Sequence, residues 1–589
     1  MPFLFLPTTP EELRQRGWDA LDVILITGDS YIDSPFIGAA VIGRVLEQAG
    51  FRVGVIAQPD IDSPADITRL GEPRLFWGVT GGSVDSLIAN TTATKKRRRT
   101  DDYTPGGVNN RRPDRAVIVY TNLIRRYFKP TRPIVLGGIE ASLRRVAHYD
   151  YWSDSLRRSI LLDAKADYLL YGMAESSVLA LAEALRSGLP PTGVRGLCYL
   201  TRQPPPDFLE LPSYESVAAD RNAFIDMFHT FYRNNDPQTA KGLAQQHGDR
   251  WVVQTPPAPY PGQAELDAIY ALPFQRAQHP YYEAQGPVKA LETIQFSLTT
   301  HRGCYGECNF CAIAVHEGRT VRWRSQDSIL AEAETLVHLP GFKGYIQDVG
   351  GPTANMYGFE CRRKLTRGTC DDRRCVYPVV CPALKPDHRP QTELLKRLRS
   401  LPGVKKVFVA SGIRYDLVLA DQAHGPAYLA EIASHHVSGQ LKVAPELSQP
   451  AVLARMGKPG PEALLRFKRA FDDLSSAAGK NQFLTYYFIA AYPGCTEADM
   501  RRLKEFTSHE LRLSPEQVQI FTPTPSTYAS LMYYTEMDPW SRQALWVEKD
   551  PSRRERQKAI VVDRQNPAAA SSRSPRREGS LRLGKRARK

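Results

Sequence analysis

Residues 22–60, "DVILITGDSYIDSPFIGAAVIGRVLEQAGFRVGVIAQPD", constrain the fold more than any other stretch of the chain. An apolar run at 23–26 leads into a loop and then an amphipathic helical pattern over about 37–49. Gly50 stands where a helix ends in a left-handed residue, and a second apolar run follows at 53–57. Strand, helix and strand with short connections mark a parallel sheet, because parallel neighbours need a crossover rather than a tight turn. Further strand-like runs at 75–80, 133–136 and 168–171 continue the alternation. Residues 1–200 are therefore expected to form a doubly wound parallel α/β domain.

Residues 201–290 change character. "RQPPPDF", "TPPAPYPG" and "LPFQRAQHPYY" are rich in proline and aromatic residues. They read as an irregular connector with one helix around 215–244. From 291 to about 535 the α/β alternation returns, with strand-like runs at 294–300, 344–350, 406–412, 441–445, 484–494 and 518–523. Helical patterns at 326–338, 390–400 and 461–477 lie between them. Six β/α units are too few for a closed eight-stranded barrel. They predict a partial (β/α)6 barrel that takes ligands at the C-terminal ends of its strands.

The formal charge of +14 is not spread evenly. Residues 551–589 hold 13 Lys and Arg against 3 Asp and Glu, so the other 550 residues carry only +4. Residues 536–589 are expected to be a basic, largely disordered tail, with one helical stretch in "DPSRRERQKAIVV". Such a tail makes RNA a candidate partner through counterion release. The run Lys95-Lys96-Arg97-Arg98-Arg99 is a second candidate contact, against the plainer reading of a solvated loop. No apolar run reaches the ~18 residues of a membrane span. "MPFLFLPTTP" has no basic leader of a secretory signal, so a cytoplasmic protein with no membrane partner is expected.

Reduced cysteines in clusters point to metal or catalysis. "HRGCYGECNFCAIAVHEGR", residues 301–319, places Cys304, Cys308 and Cys311 directly after the first strand of the second half. Thiolates are soft ligands suited to iron–sulfur clusters and zinc. A structural zinc takes four ligands, whereas three cysteines on a four-iron cluster leave one iron open to a substrate. Gly303 and Gly306 ease the turns between the ligands.

The motif Cys304-Tyr-Gly-Glu-Cys308-Asn-Phe-Cys311, with Phe310 before its third cysteine, resembles the signature of the radical SAM superfamily. "RGWDALDVILITGDSYIDSP", "GGIEASLRRVAHYDYWSD", "GGPTANMY", "SGIRYD", "FIAAYPG" and "RFKRAFD" resemble the YgiQ-type proteins of that superfamily over about residues 3–535. The resemblance implies that Cys304, Cys308 and Cys311 hold a 4Fe–4S cluster whose open iron binds S-adenosylmethionine. One electron, from a donor such as a flavodoxin or ferredoxin, then generates a 5′-deoxyadenosyl radical. It fixes neither the substrate nor a catalytic residue.

In such barrels a Gly-Gly-Glu segment contacts the methionyl amine. Here the matching place reads Gly350-Gly351-Pro352-Thr353, with Asp348 or a backbone carbonyl as the substitute for the missing carboxylate. Arg414, Lys442 and Glu446 are candidates for the methionyl carboxylate or ribose, against ordinary ion pairs, and "AAYPG" at 490–494 for adenine. Cys361, Cys370, Cys375 and Cys381, in an insertion at about 355–386, are a candidate second iron–sulfur or zinc site or redox thiols; Cys198 and Cys495 read as core residues. The first domain resembles a cobalamin-binding fold in its order and its "PIVLGGIEASL" turn, with Asp29, Asp33 and Gly137-Gly138 as candidate pocket residues. It lacks D-x-H-x-x-G, so the sequence argues against cobalamin. The competing function is a non-catalytic iron–sulfur or zinc protein that binds RNA or a protein partner.

Overall fold

The computed structural model describes residues 5–562. Five apolar segments form the centre of the first sheet: β1 (Val23–Thr27), β2 (Val53–Ala57), β3 (Phe76–Thr80), β4 (Ile134–Gly137) and β5 (Tyr168–Leu170). They pair in parallel in the order β2-β1-β3-β4-β5. Every residue of β1 and β2 is buried, as strands covered by helices on both faces must be. Gly38–Gln48 and Glu175–Arg186 pack on one face, and Ala116–Tyr127 and Ile160–Ala164 on the other. This is the expected doubly wound α/β fold. Its strand order puts a topological switch between β1 and β3, where open α/β sheets receive ligands.

Residues 201–290 are not the irregular connector that their proline content suggests. Leu209–Leu211, Leu243–His247 and Arg250–Gln254 extend the first sheet, the last two as a hairpin turned at Gly248. Arg250–Gln254 pairs antiparallel with Leu197–Thr201, the neighbour of β5. The single helix expected over 215–244 divides into Tyr214–Ala219 and Arg221–Arg233. Asp220 causes the break, because its carboxylate accepts from the Asn222 N–H (2.9 Å) and caps the second helix.

The second unit has six strand positions in parallel register: Ser297–Thr299, then Tyr345–Ile346 with Asp348–Gly350, then Lys406–Val407, Gln440–Glu446, Phe483–Ala490 and Val518–Ile520. A bridge from Ile413 to Val443 joins the third to the fourth. Among the described residues the sixth does not pair with the first, so the expected partial barrel stays open. Alternate residues Leu441, Val443, Leu484, Tyr486 and Phe488 share one core with Phe467 and Phe471 of the helix Pro461–Ala477. The period of two turns Lys442 and Ala444 to the barrel interior, and a bulge between Val443 and Glu446 shifts Glu446 out of that alternation.

The chain does not leave the body at residue 536. Pro551–Val561 is a helix lying across both units. Arg554, fully buried, donates to the Ala93 carbonyl (3.0 Å), the Tyr151 hydroxyl and the Phe521 carbonyl. Gln557 accepts from the Ala491 N–H (3.0 Å). The expected basic tail, and the RNA contact placed on it, otherwise fall beyond residue 562, outside the described residues. No helix among the described residues is long and apolar enough to cross a membrane.

Replacing Arg554 with Ala leaves the buried Phe521 carbonyl without its donor, while the Ala93 carbonyl keeps the Tyr151 hydroxyl (2.6 Å), a loss of about 1–3 kcal/mol that a denaturant titration would read. A second test is pH. Burial acts to raise the Asp421 carboxyl, but hydrogen bonds from the His388 N–H (2.8 Å), the His388 ring (2.9 Å) and the His424 N–H outweigh it and bring it down to about 2. A lowered carboxylate contributes stability that is complete above the usual aspartate range and is lost as pH falls through about 2. Asp421→Asn should flatten that acid limb in a pH series of unfolding midpoints.

Candidate active site

The loop after the first barrel strand brings the three cysteines together on one short turn. The Gly306 N–H points at Cys304 Sγ (3.3 Å), and the Cys311 N–H donates to the Cys308 carbonyl (2.9 Å). A Cβ on Gly306 would sit 3.1 Å from Cys304 Sγ and 3.3 Å from Arg414 Nη1, so the glycine keeps open the space that the sulfurs face. Burial, and then the neighbouring Cys308, push the Cys304 and Cys311 thiols up. Such thiols rest neutral until a metal takes the place of their protons. Two buried cations stand beside Cys308: Arg414 Nη1 is 3.8 Å from its sulfur, and the Lys458 ammonium also acts on it. Among the described residues no three His, Cys, Asp or Glu side chains converge on a single metal ion. Three thiols on one short loop with cations beside them fit a multi-iron cluster, in which each thiolate would hold a different iron.

The other expected ligand residues divide. Gly350 and Gly351 end the second strand, and Thr353 Oγ1 brings their segment to 3.8 Å from Cys304 Sγ. A Cβ on Gly351 would lie 2.6 Å from His301 Nε2 and 2.7 Å from the His301 carbonyl, so no other residue fits there. Asp348, the expected substitute for the missing carboxylate, lines the cavity and is engaged by its neighbouring segment. Its oxygens accept from the Ala410 N–H (2.8 Å), the Ser411 N–H (3.1 Å) and the Ser411 hydroxyl. Arg414 is beside the cysteine loop but is paired with Asp416. Glu446 is paired with Lys458 (3.2 Å) and has φ +68°, a strained value at a bulge in its strand. Lys442, half-buried, makes no ion pair among the described residues.

A cavity of about 620 Å3 opens between the C-terminal ends of the first sheet and the mouth of the barrel. It reaches Asp29, Gly137 and Gly138 on one side and Gly350, Gly351 and Ile313 on the other. Asp33 is not on it: its carboxylate binds Arg44 and the Gln275 N–H (3.0 Å). Most of the wall is apolar, with an ion pair between Arg302 and Glu175 crossing between the units. Two imidazoles, the buried His301 and the half-buried His316, also line it, and loss of solvent lowers each to about 4, so both are neutral at pH 7. Sequence reasoning missed Lys458, Glu175, Arg302 and His316. Arg302 and His316 flank the cysteine motif and could have been read from that position. Glu175 and Lys458 come from distant segments and carry no local signal.

The insertion packs directly on the cysteine loop. Cys361 shares a core with Tyr305, Val376 and Leu384, and Cys304 and Cys375 pack against it. Lys364 Nζ is 3.6 Å from Cys375 Sγ, while Cys370 and Cys381 lie near Arg373. The Cys381 N–H donates to the Cys375 carbonyl (2.8 Å), and among the described residues these four, like the three of the loop, form no group of three placed for a single metal ion. Cys198 and Cys495 are fully buried, and burial pushes each thiol up to about 12. The Lys95–Arg99 run is largely engaged by the protein itself. Lys95 donates to the Trp152 carbonyl (3.3 Å), Arg97 pairs with Asp114 (2.7 Å), and Arg98 donates to the Thr91 carbonyl (3.2 Å).

Gly306→Ala and Lys442→Ala should separate the two halves of the site. The first is expected to lower iron and sulfide content after reconstitution, because the added methyl crowds Cys304 and Cys308. The second should leave that content unchanged and weaken S-adenosylmethionine binding about tenfold or more, read by equilibrium dialysis.

A family model described as Radical SAM N-terminal matches residues 5–297, and the Radical SAM superfamily model matches 298–507. A UPF0313 protein of Fusobacterium nucleatum is 56% identical over 95% of this chain and 99% of its own length. One from Thermotoga maritima is 47% identical over 95% and 98%. Among solved structures, the radical S-adenosylmethionine methyltransferase TsrM of Kitasatospora setae, with cobalamin and a [4Fe-4S] cluster bound, is similar over 90% of this chain and 87% of its own, at 14% identity and TM-score 0.46. The cobalamin-dependent S-adenosylmethionine radical enzyme OxsB, with aqua-cobalamin bound, is similar over 89% and 56%, at 13% identity and TM-score 0.47. Both of these solved structures have cobalamin bound, contrary to the expectation drawn from the missing motif. A missing D-x-H-x-x-G removes one axial ligand to cobalt, not the surface that would hold a corrin ring. The chain is an enzyme that belongs to the UPF0313, or YgiQ-type, family of the radical SAM superfamily.

Proposed function

We propose that Cys304, Cys308 and Cys311 hold a 4Fe–4S cluster, and that the enzyme uses it with S-adenosylmethionine to abstract hydrogen from a substrate seated in the cavity between the two units. The observation that carries this reading is the arrangement around Gly306. Cys304, Cys308 and the buried Arg414 meet where a side chain at 306 would crowd all three, and Thr353 brings the Gly350-Gly351 segment to Cys304. When bound, the cluster supplies one electron to S-adenosylmethionine, which yields methionine and a 5′-deoxyadenosyl radical. Arg414 and Lys458 offset the negative charge of the thiolates from behind. Gly350 and Gly351 let the ligand approach the backbone, and the Lys442 ammonium is available to its carboxylate. The apolar cavity walls exclude water that would quench a radical.

The cavity lies at the switch point of the first sheet, so it is also the proposed seat of any second cofactor. Titration with hydroxocobalamin, followed by visible absorbance, tests whether that cofactor is a corrinoid.

The decisive experiment is anaerobic. The protein is reconstituted with iron and sulfide, reduced, given S-adenosylmethionine and assayed for 5′-deoxyadenosine. Product is expected from the native protein and none from the Cys304→Ala/Cys308→Ala/Cys311→Ala variant. Native protein that holds iron tightly yet neither binds nor cleaves S-adenosylmethionine would instead favour a non-catalytic iron–sulfur or zinc protein.

A further inference from the structure

We propose that the outer face of the cysteine-rich insertion is the docking site for a small acidic protein that carries a one-electron redox centre. The proposal rests on the radical SAM reading above, in which the cluster at Cys304, Cys308 and Cys311 must receive its electron from outside the chain.

Charge is the first observation. Between Cys361 and Arg389 there are eight Lys and Arg against three Asp, a net of +5. The 550 residues before the basic tail carry +4 in all, so the whole positive excess of the body is concentrated in this one insertion. Arg362, Arg363 and Arg367 lie on the helix Arg362–Arg367, all exposed, and form no salt bridge among the described residues. Lys385 is likewise exposed and without a carboxylate partner among the described residues. Unpaired surface cations repel one another and gain when an acidic surface covers them.

Shape is the second observation. Between these cations the chain turns outward through Pro378, Val379, Pro382 and Ala383, all exposed. Val379 is 73% exposed, the largest exposure among the large hydrophobic residues of the described chain. An apolar tip with a charged rim is the layout of a small protein interface.

Position is the third. The inner face of the insertion is one side-chain layer from the cysteine loop, since Cys361, Val376 and Leu384 pack on Tyr305, between Cys304 and Gly306. Arg374 donates to the Glu307 carbonyl (2.9 Å) and to Asn309 Oδ1 (2.7 Å), so the insertion is bonded to the loop that carries Cys308 and Cys311. A carrier docked on the outer face stands as close to the cluster as the fold allows from this side. The step is one electron from the reduced carrier to the cluster. The carrier is oxidised by one electron, the cluster is reduced by one, and no bond forms or breaks.

The test uses full-length reconstituted protein and an acidic bacterial flavodoxin as the probe. Affinity is read by isothermal titration at about 0.01 M and about 0.15 M ionic strength, between which the screening length shrinks from about 30 to about 8 Å. Cluster reduction is read by bleaching of its visible absorbance with flavodoxin hydroquinone and, separately, with dithionite. The Arg362→Glu/Arg363→Glu/Arg367→Glu variant should bind flavodoxin about tenfold or more weakly, lose the salt dependence and be reduced more slowly by flavodoxin. Its dithionite reduction and iron content should be unchanged. The Arg362→Lys/Arg363→Lys/Arg367→Lys variant should behave as the native protein, because it keeps the charge. Unchanged flavodoxin affinity in the Glu variant overturns the proposal. So does binding of a single-stranded RNA that the Glu variant loses while flavodoxin binding stays, which would make the face a nucleic-acid surface. Should no cluster assemble in the native protein, the functional reading falls, and the titration arm still decides the docking site.

Discussion

The ion pair between Arg302 and Glu175 joins the two α/β units where each presents its strand ends, and the site is arranged around it. Arg302 lies two residues before Cys304, and Glu175 opens the helix after β5. Their side chains are only 14% and 11% exposed, and Arg302 also donates to the Tyr270 hydroxyl (3.2 Å). Two buried charges cost nearly as much to desolvate as they return by attraction, so the pair specifies alignment more than it stabilises. Losing one partner leaves the other buried and unpaired, at a cost of about 3–5 kcal/mol. Both residues line the cavity, and Arg302 leads directly into the cysteine loop.

Around the loop, charge is balanced before any metal arrives. Arg414 is neutralised by Asp416 and Lys458 by Glu446, and burial keeps Cys304 and Cys311 as neutral thiols. The strained backbone at Glu446 holds that carboxylate against Lys458, and the strain is carried by the strand pairing on both sides of the bulge.

The insertion and the C-terminal helix both act as outside supports of the same mouth. The insertion covers the back of the cysteine loop through Tyr305 and Arg374. The helix Pro551–Val561 ties the Ala93 segment of the first unit to the ends of the last two barrel strands through Arg554 and Gln557. Neither contributes a side chain to the cavity, yet each limits how the two units can move apart.

Local pattern determined much of this protein. The apolar runs at 23–27 and 53–57 with a helix between them dictate parallel pairing, because nothing shorter than a crossover joins parallel strands. The spacing of Cys304, Cys308 and Cys311 dictates a shared turn, because eight residues cannot place them far apart. Local pattern failed where one composition suits several folds. Proline around 201–260 hid the hairpin at 243–254, and basic residues at 553–558 hid that the helix expected there is docked on the body with Arg554 buried. Only the tertiary structure decided that Asp348 serves a backbone turn, that Lys458 stands behind Cys308, and that Glu175 meets Arg302. Each of these is a contact between segments far apart in sequence. Its formation depends on how whole elements pack, and no local pattern records that.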